Sequence, residues 1–155
     1  MSPSYTIATD PLTSDAVLGL LQFHLDEVQT WSPTCKVHAL PADRLKQRDV
    51  TFFTARDGGT LAAIGALKDL GDGRGELKSM RAAPEYRGRG AGEAILLGLI
   101  EEARARGYRW LGLETGRPRQ FTAARRLYQK HGFAECAAFG NYISDEFSLC
   151  MERHL

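Results

Sequence analysis

Apolar residues recur along this chain with two periods, and the switches between them mark out its elements. Tyr5 to Thr9 alternates as a short strand, ended by Asp10-Pro11. Val17, Leu18, Leu21, Leu25 and Val28 then fall on one side of a helix that Ser14 or Asp15 can cap. Trp31-Ser32-Pro33-Thr34 breaks that helix, and Pro41 to Lys46 predicts one or two further helical turns with proline at the first position. Val50 to Ala55 is β-branched and aromatic, Asp57-Gly58-Gly59 is a hairpin turn, and Leu61 to Leu67 returns as the next strand. The glycine-rich run Gly71 to Gly75 leads into a strand from Glu76 to Ala82.

Beyond it, Ile95, Leu96, Leu99, Ile100 and Ala103 give a strongly patterned helix from Glu93 to Arg106, with Gly107 as its C-cap. Tyr108 to Thr115 reads as a strand, Gln120 to His131 as a helix ended by Gly132. Phe133 to Phe139 and Phe147 to Glu152 read as two last strands joined through Gly140-Asn141-Tyr142. The order β, α, short α, three strands, α, β, α, β, β predicts an α/β fold: one mixed sheet with helices on its faces. No repeat or low-complexity segment interrupts it, and 155 residues suit one domain, 1–155, with a sizeable core.

Composition removes several classes of function. The formal charge of +1 gives no general attraction for nucleic acid or an anionic membrane. No apolar run approaches the ~20 residues that span a bilayer, and the start of the chain has neither the basic nor the apolar region of a signal peptide. Cys35, Cys136 and Cys150, odd in number and far apart in sequence, point to free thiols in a reducing compartment, so the cytoplasm is the expected location. No His, Cys or carboxylate cluster has zinc-ligand spacing, so no metal is expected.

The chemistry centres on Arg87-Gly88-Arg89-Gly90-Ala91-Gly92, between a strand and a helix. The first turn of a helix has unpaired N–H donors and the positive end of the macrodipole, so it attracts anions. Glycines let a phosphate approach the main chain, and Arg87 and Arg89 add charge. A P-loop would need Gly-Lys-Ser/Thr here, and a dinucleotide fingerprint would need glycine at Glu93; neither is present. What stands is Arg-x-x-Gly-x-Gly, which resembles the pyrophosphate-binding signature of the GNAT superfamily of N-acetyltransferases. Ala123-Ala124-Arg125-Arg126-Leu127-Tyr128-Gln129-Lys130-His131-Gly132-Phe133 resembles that family's second signature, and with both in place the resemblance covers nearly the whole chain. Leu113-Glu114-Thr115-Gly116 and Phe139-Gly140-Asn141-Tyr142 are similar to a bacterial subgroup, the YsnE-like acetyltransferases. Asn141 and Glu146-Phe147-Ser148 depart from the subgroup's pattern, so its substrate is not carried over.

The resemblance implies the GNAT fold, a twisted and mostly antiparallel sheet flanked by helices on both faces, with acetyl-CoA as cosubstrate and a small-molecule amine or amino acid as acceptor. It implies that the strand before the glycine-rich turn splays from its neighbour at Met80, Arg81 and Ala82, where a backbone N–H near Met80 polarises the thioester. Arg87 to Gly92 would hold the pyrophosphate. Glu76 stands where several relatives have a general base, and alternation places Glu76, Lys78 and Met80 on one face. Lys78 either lowers the Glu76 pKa or binds a substrate carboxylate. Glu114, ending the neighbouring strand, is the rival base and a substrate-binding candidate. Tyr128 is the family's usual general acid, although its helical stripe with Phe121, Ala124, Leu127 and His131 also suits a core residue.

His24, His38 and Trp31 fall where this fold usually lines the acceptor cleft, with Trp31 taken as substrate-binding. Arg117, Arg119, Arg125 and Arg126 suit either the adenosine 3′-phosphate or solvent. Cys136 has no activating base and reads as a small strand residue. The rival reading is a non-catalytic CoA-binding sensor or interaction module. Exposed strands at the C-terminal end suit a homodimer.

Overall fold

In the computed structural model, which describes residues 4–31 and 41–155, the strand-period segments become β1 (Tyr5–Thr9), β2 (Val50–Asp57), β3 (Thr60–Gly71), β4 (Arg74–Ala82), β5 (Trp110–Gly116), β6 (Ala134–Cys136) and β7 (Ser148–His154). They join in one sheet of order β1-β2-β3-β4-β5-β7-β6. Every neighbouring pair is antiparallel except β4 and β5. The helical periods become α1 (Asp15–Trp31), the short α2 (Ala42–Leu45), α3 (Ala91–Ala105) and α4 (Thr122–Lys130). Pro41 stands just outside α2 as its N-cap residue. None of the described helices is long and apolar enough to cross a membrane.

The apolar stripe of α3, Ile95, Leu96, Leu99, Ile100 and Ala103, is buried against the sheet. Gly98 is required in that helix: a Cβ there would stand 2.7 Å from a methyl of Ile7 on β1. Helix α1 covers the opposite face, burying Val17, Leu20 and Leu21.

Two irregularities in the sheet shape its β4 edge. First, β4 and β5 pair only at Arg74↔Trp110, Gly75↔Leu111 and Glu76↔Gly112. Beyond Glu76 the strands part, and among the described residues the β4 main chain from Leu77 onward has no strand partner on that side. Second, β3 pairs Ala66 with Lys78 but Ile64 with Arg81, so Gly65 faces both Ser79 and Met80 across a β-bulge. Ser79 sits at φ +56 within it. Opposed residues of paired strands share a face, so Lys78 and Arg81 lie on one face and Met80 on the other. A Cβ on Gly65 would lie 2.7 Å from Met80 Sδ and 2.9 Å from Leu99 of α3, which puts Met80 on the α3 face. Simple alternation therefore fails after Lys78. Glu76 and Lys78 do share a face, but it is Arg81, not Met80, that continues it toward α1.

The segment expected as a strand from Phe133 to Phe139 pairs only over Ala134 to Cys136. Phe139 leaves the sheet to stack edge-on against Trp110 and Tyr142, at 5.2 and 5.3 Å between ring centroids. That packing replaces strand pairing and carries Tyr142 back over the sheet. Cys136 and Cys150, distant in sequence, are cross-strand partners and both free thiols. Cys35 lies outside the described residues.

Candidate active site

A cleft of about 720 Å³ opens where β4 and β5 part, bounded by α1, the start of α3, α4 and the 142–148 segment. Its anion-binding end is built by the turn after β4. Pro84–Tyr86 forms one 3-10 turn, after which Gly88 and Gly90 take φ +73 and +83. These left-handed values favour glycine. Among the described residues, no atom beyond the adjoining residues lies within 4 Å of a Cβ at either position, so both glycines border open space. The first helical bond of α3 runs from Ala94 N–H to the Gly90 carbonyl, leaving the N–H groups of Ala91, Gly92 and Glu93 outside that ladder. All three residues line the cleft.

Arg87 also lines it, with its guanidinium 2.8 Å from the Glu27 carboxylate of α1. Arg89 does not point there. Its guanidinium lies 4.8 Å over the Tyr86 ring, and its carbonyl accepts a hydrogen bond from Tyr5. Glu93 would oppose an anion at this helix start, but Lys130 at the end of α4 and His131, its C-cap, bond it at 2.7 and 2.9 Å. The Lys130 bond, then the His131 bond, hold its carboxyl below the usual range.

The α1 face of the cleft carries the ionisable groups. Glu76 is buried, and its Oε2 accepts from both Tyr142 Oη and Lys78 Nζ, the latter at 3.1 Å. Lys78 also donates to Tyr142 Oη at 2.7 Å. Burial and the Glu76 charge push the Tyr142 phenol far above its ordinary range. Tyr142 is the one member of this cluster with no role in the sequence reading. It enters there as part of a connecting segment and of the subgroup resemblance, and no local spacing announces a partner 64 residues upstream.

Glu114 is two residues beyond Gly112, as Lys78 is two beyond Glu76, so the two stand level across the parted strands. Its carboxylate has no hydrogen-bond partner among the described residues. Burial pushes it up to about 7, with Glu76 and Asp145 adding and Lys78 opposing.

Arg81 was expected to serve through its main chain, but its side chain also builds the α1 wall. Nε donates to His24 Nδ1 at 3.0 Å, and Nη1 lies 3.5 Å from Glu27. The guanidinium spans Phe23 and Trp31, at 5.7 and 5.2 Å from the ring centroids. Burial, then Arg81, take His24 down to about 3, so it is neutral at working pH. Trp31 lines the cleft and meets Phe121 edge-on at 5.4 Å. His38 lies outside the described residues.

Tyr128 projects from α4 into the same cleft and is 8% exposed. Burial pushes its phenol up to about 12, with Arg81 opposing. The hydroxyl has no hydrogen-bond partner among the described residues, which a purely packing role would not call for.

Met80, Ala82 and Ser79 complete the β4 edge of the cleft. Ser79 is 8% exposed, and its Oγ is the one fully buried side-chain polar atom without a partner among the described residues. An unsatisfied hydroxyl costs about 1–3 kcal/mol, and an L-residue at left-handed φ a further ~1–2 kcal/mol. Nothing in the strand pattern marks this serine, because the bulge that holds it is a property of pairing with Gly65.

Two of the four arginines near α4 serve local structure. Arg125 donates to the carbonyls of Gly116 and Pro118, at 2.6 and 3.2 Å, and Arg117 pairs with Glu135 at 2.8 Å. Burial raises the Cys136 thiol to about 11, which offers no thiolate nucleophile. Among the described residues no group of three His, Cys, Asp or Glu side chains could hold a metal ion.

Residues 18–133 match the acetyltransferase (GNAT) family. The chain is 45% identical to the uncharacterized N-acetyltransferase YedL of Escherichia coli (strain K12) over 93% of its own length and 91% of that protein. It is 40% identical to the uncharacterized N-acetyltransferase YsnE of Bacillus subtilis (strain 168), over 96% of this chain and 99% of the other. Among solved structures it is similar to a candidate acyl-CoA N-acyltransferase from Klebsiella pneumoniae, with a TM-score of 0.77 and 31% identity over 97% of both chains.

Proposed function

The chain belongs to the acetyltransferase (GNAT) family, and from that footing we propose that it moves an acetyl group from acetyl-CoA to the amine of a small molecule or amino acid, directly within a ternary complex. GNAT acetyltransferases use acetyl-CoA. The observation that carries the proposal is a convergence. The β4 edge, the first N–H groups of α3 and the Tyr128 hydroxyl, all without partners among the described residues, line one cleft. The orphaned Ser79 hydroxyl and the open space beside Gly88 and Gly90 fit a ligand lying along that track.

When bound, acetyl-CoA supplies an activated acyl thioester. The N–H groups of Ala91, Gly92 and Glu93, with Arg87, hold pyrophosphate oxygens. The main chain of Met80 to Ala82 holds the pantetheine arm. Glu114 accepts the proton that the amine nitrogen loses as its bond to the acyl carbon forms. Tyr128 donates its proton to the sulfur as the C–S bond breaks.

The base is assigned to Glu114 in preference to Glu76, the residue favoured by sequence. Glu76 is already occupied by Lys78 and Tyr142 and lies four residues, ~13 Å, before Met80. Glu114 stands level with Lys78, only ~7 Å short of Met80 along the strand direction. Glu76 instead fixes Lys78 and Tyr142 as the wall of the acceptor pocket, with Trp31 opposite.

A panel of amines and amino acids offered with acetyl-CoA tests the activity by steady release of CoA thiol. Tight acetyl-CoA binding without release for any acceptor would favour a non-catalytic CoA-binding module. The cofactor placement has its own test. Gly90→Val puts a branched side chain into the open space beside the loop and strains a backbone at φ +83. The expected result is a folded but less stable protein whose stabilisation by acetyl-CoA shrinks. Comparing the ligand-induced shift in Tm, rather than Tm itself, separates binding from strain. An undiminished shift would place the pyrophosphate elsewhere.

A further inference from the structure

We propose that the Ser79 side chain is itself a binding group for the acyl oxygen, a role that rests on the acetyl-CoA reading but not on the identity of the acceptor. Ser79 lies three residues past the last β4–β5 pair, on the stretch of β4 that lines the cleft. It is the bulged residue, so its position is not the one strand alternation would give it.

Its neighbours leave the hydroxyl nothing to bond. Gly65 across the bulge has no side chain, Met80 turns toward α3, and Lys78 is engaged with Glu76 and Tyr142. The result is an orphaned hydroxyl on a backbone at φ +56, a conformation glycine adopts freely. Two unfavourable features coincide at one residue in the wall of the cleft, which is how a group reserved for a ligand looks in the free protein.

The Oγ is fully buried in the free protein, so a rotation about χ1 is required to bring Oγ–H to the acyl oxygen. There the hydroxyl donates a hydrogen bond beside the backbone N–H groups of the same edge. As the bond from the amine nitrogen to the acyl carbon forms and the C–S bond breaks, the acyl oxygen gains negative charge and the Ser79 bond strengthens. The serine neither gains nor loses a proton. It therefore discriminates between the acylated and the free form of the coenzyme, which differ in the group it touches.

The test is direct binding of acetyl-CoA and of CoA to wild type, Ser79→Ala and Ser79→Gly, with thermal unfolding of each free protein. Both variants remove the hydroxyl, and glycine also relieves the left-handed backbone. The expected result is a Tm at or above wild type for both free variants. The Kd for acetyl-CoA should rise about three- to tenfold, while that for CoA stays within about twofold. A structural hydroxyl would lower Tm in Ser79→Ala and leave the acetyl-CoA to CoA ratio unchanged, which overturns the proposal. Equal weakening of both ligands also overturns it, since the hydroxyl would then read the shared part of the coenzyme. If wild type binds neither ligand, the cofactor reading fails first and this one with it.

Discussion

Replacing Tyr128 by phenylalanine should lower kcat by roughly 10²–10⁴-fold while leaving the affinity for acetyl-CoA and the fold intact. The substitution keeps the ring that packs edge-on against Phe133 at 5.9 Å and removes only an unpartnered hydroxyl. The thiolate that departs when the C–S bond breaks needs a proton, and this hydroxyl is the unpaired donor that α4 brings into the cleft. Burial pushes the phenol up to about 12, so it stays protonated throughout the working range. The wild-type kcat profile should accordingly show no alkaline fall from this group below about pH 12. Thermal unfolding and acetyl-CoA titration of Tyr128→Phe provide the controls. A variant with full kcat would return Tyr128 to the core-residue reading.

The fold was legible because its elements announce themselves locally. The α3 stripe, the Asp57-Gly58-Gly59 turn and the glycines at 88, 90, 107 and 132, all at positive φ in the structure, each carry their own signal. The order of elements then leaves few topologies. Where local signals and packing compete, the reading lost ground. Phe133 to Phe139 has strand composition throughout, yet Phe139 packs edge-on against Trp110 instead of extending β6.

The site was legible only as far as it is made of backbone. Arg87 to Gly92 follows from residue type and order, because a glycine-rich turn before a helix makes an anion site wherever it occurs. The side chains around the acyl group depend on register instead. One extra residue opposite Gly65 sends Met80 to the α3 face, brings Arg81 to the α1 face and leaves Ser79 without a partner. No alternation rule reports an insertion that pairing alone creates. Tyr142 was hidden for a related reason: its partners Glu76 and Lys78 are reached through tertiary packing, not through spacing.

That same register decides the second large effect. Glu114→Gln should lower kcat/KM by roughly 10²–10⁴-fold at pH 8 and remove the acid limb of its pH profile. The carboxylate must be ionised to accept the amine proton. Burial pushes Glu114 up to about 7, so wild-type activity should fall as pH drops through that value. Glu76→Gln should keep the limb. Its cost is the loosening of Lys78 and Tyr142, felt mainly in the acceptor KM. Stability supplies the control. A carboxyl raised by folding binds its proton more tightly in the folded than in the unfolded state. Stability then falls as pH rises from the unfolded value toward about 7, and the full penalty applies above it. Glutamine removes that penalty, so Tm of Glu114→Gln at pH 8 should match or exceed wild type, and lost activity there cannot be lost fold. An acceptor amine has its own titration, so profiles for two acceptors of different pKa are needed. The Glu114 limb holds its position in both, whereas a limb set by the amine moves with it. A Glu114→Gln profile that keeps the limb near pH 7, or a Glu76→Gln profile that loses it, would return the base role to Glu76.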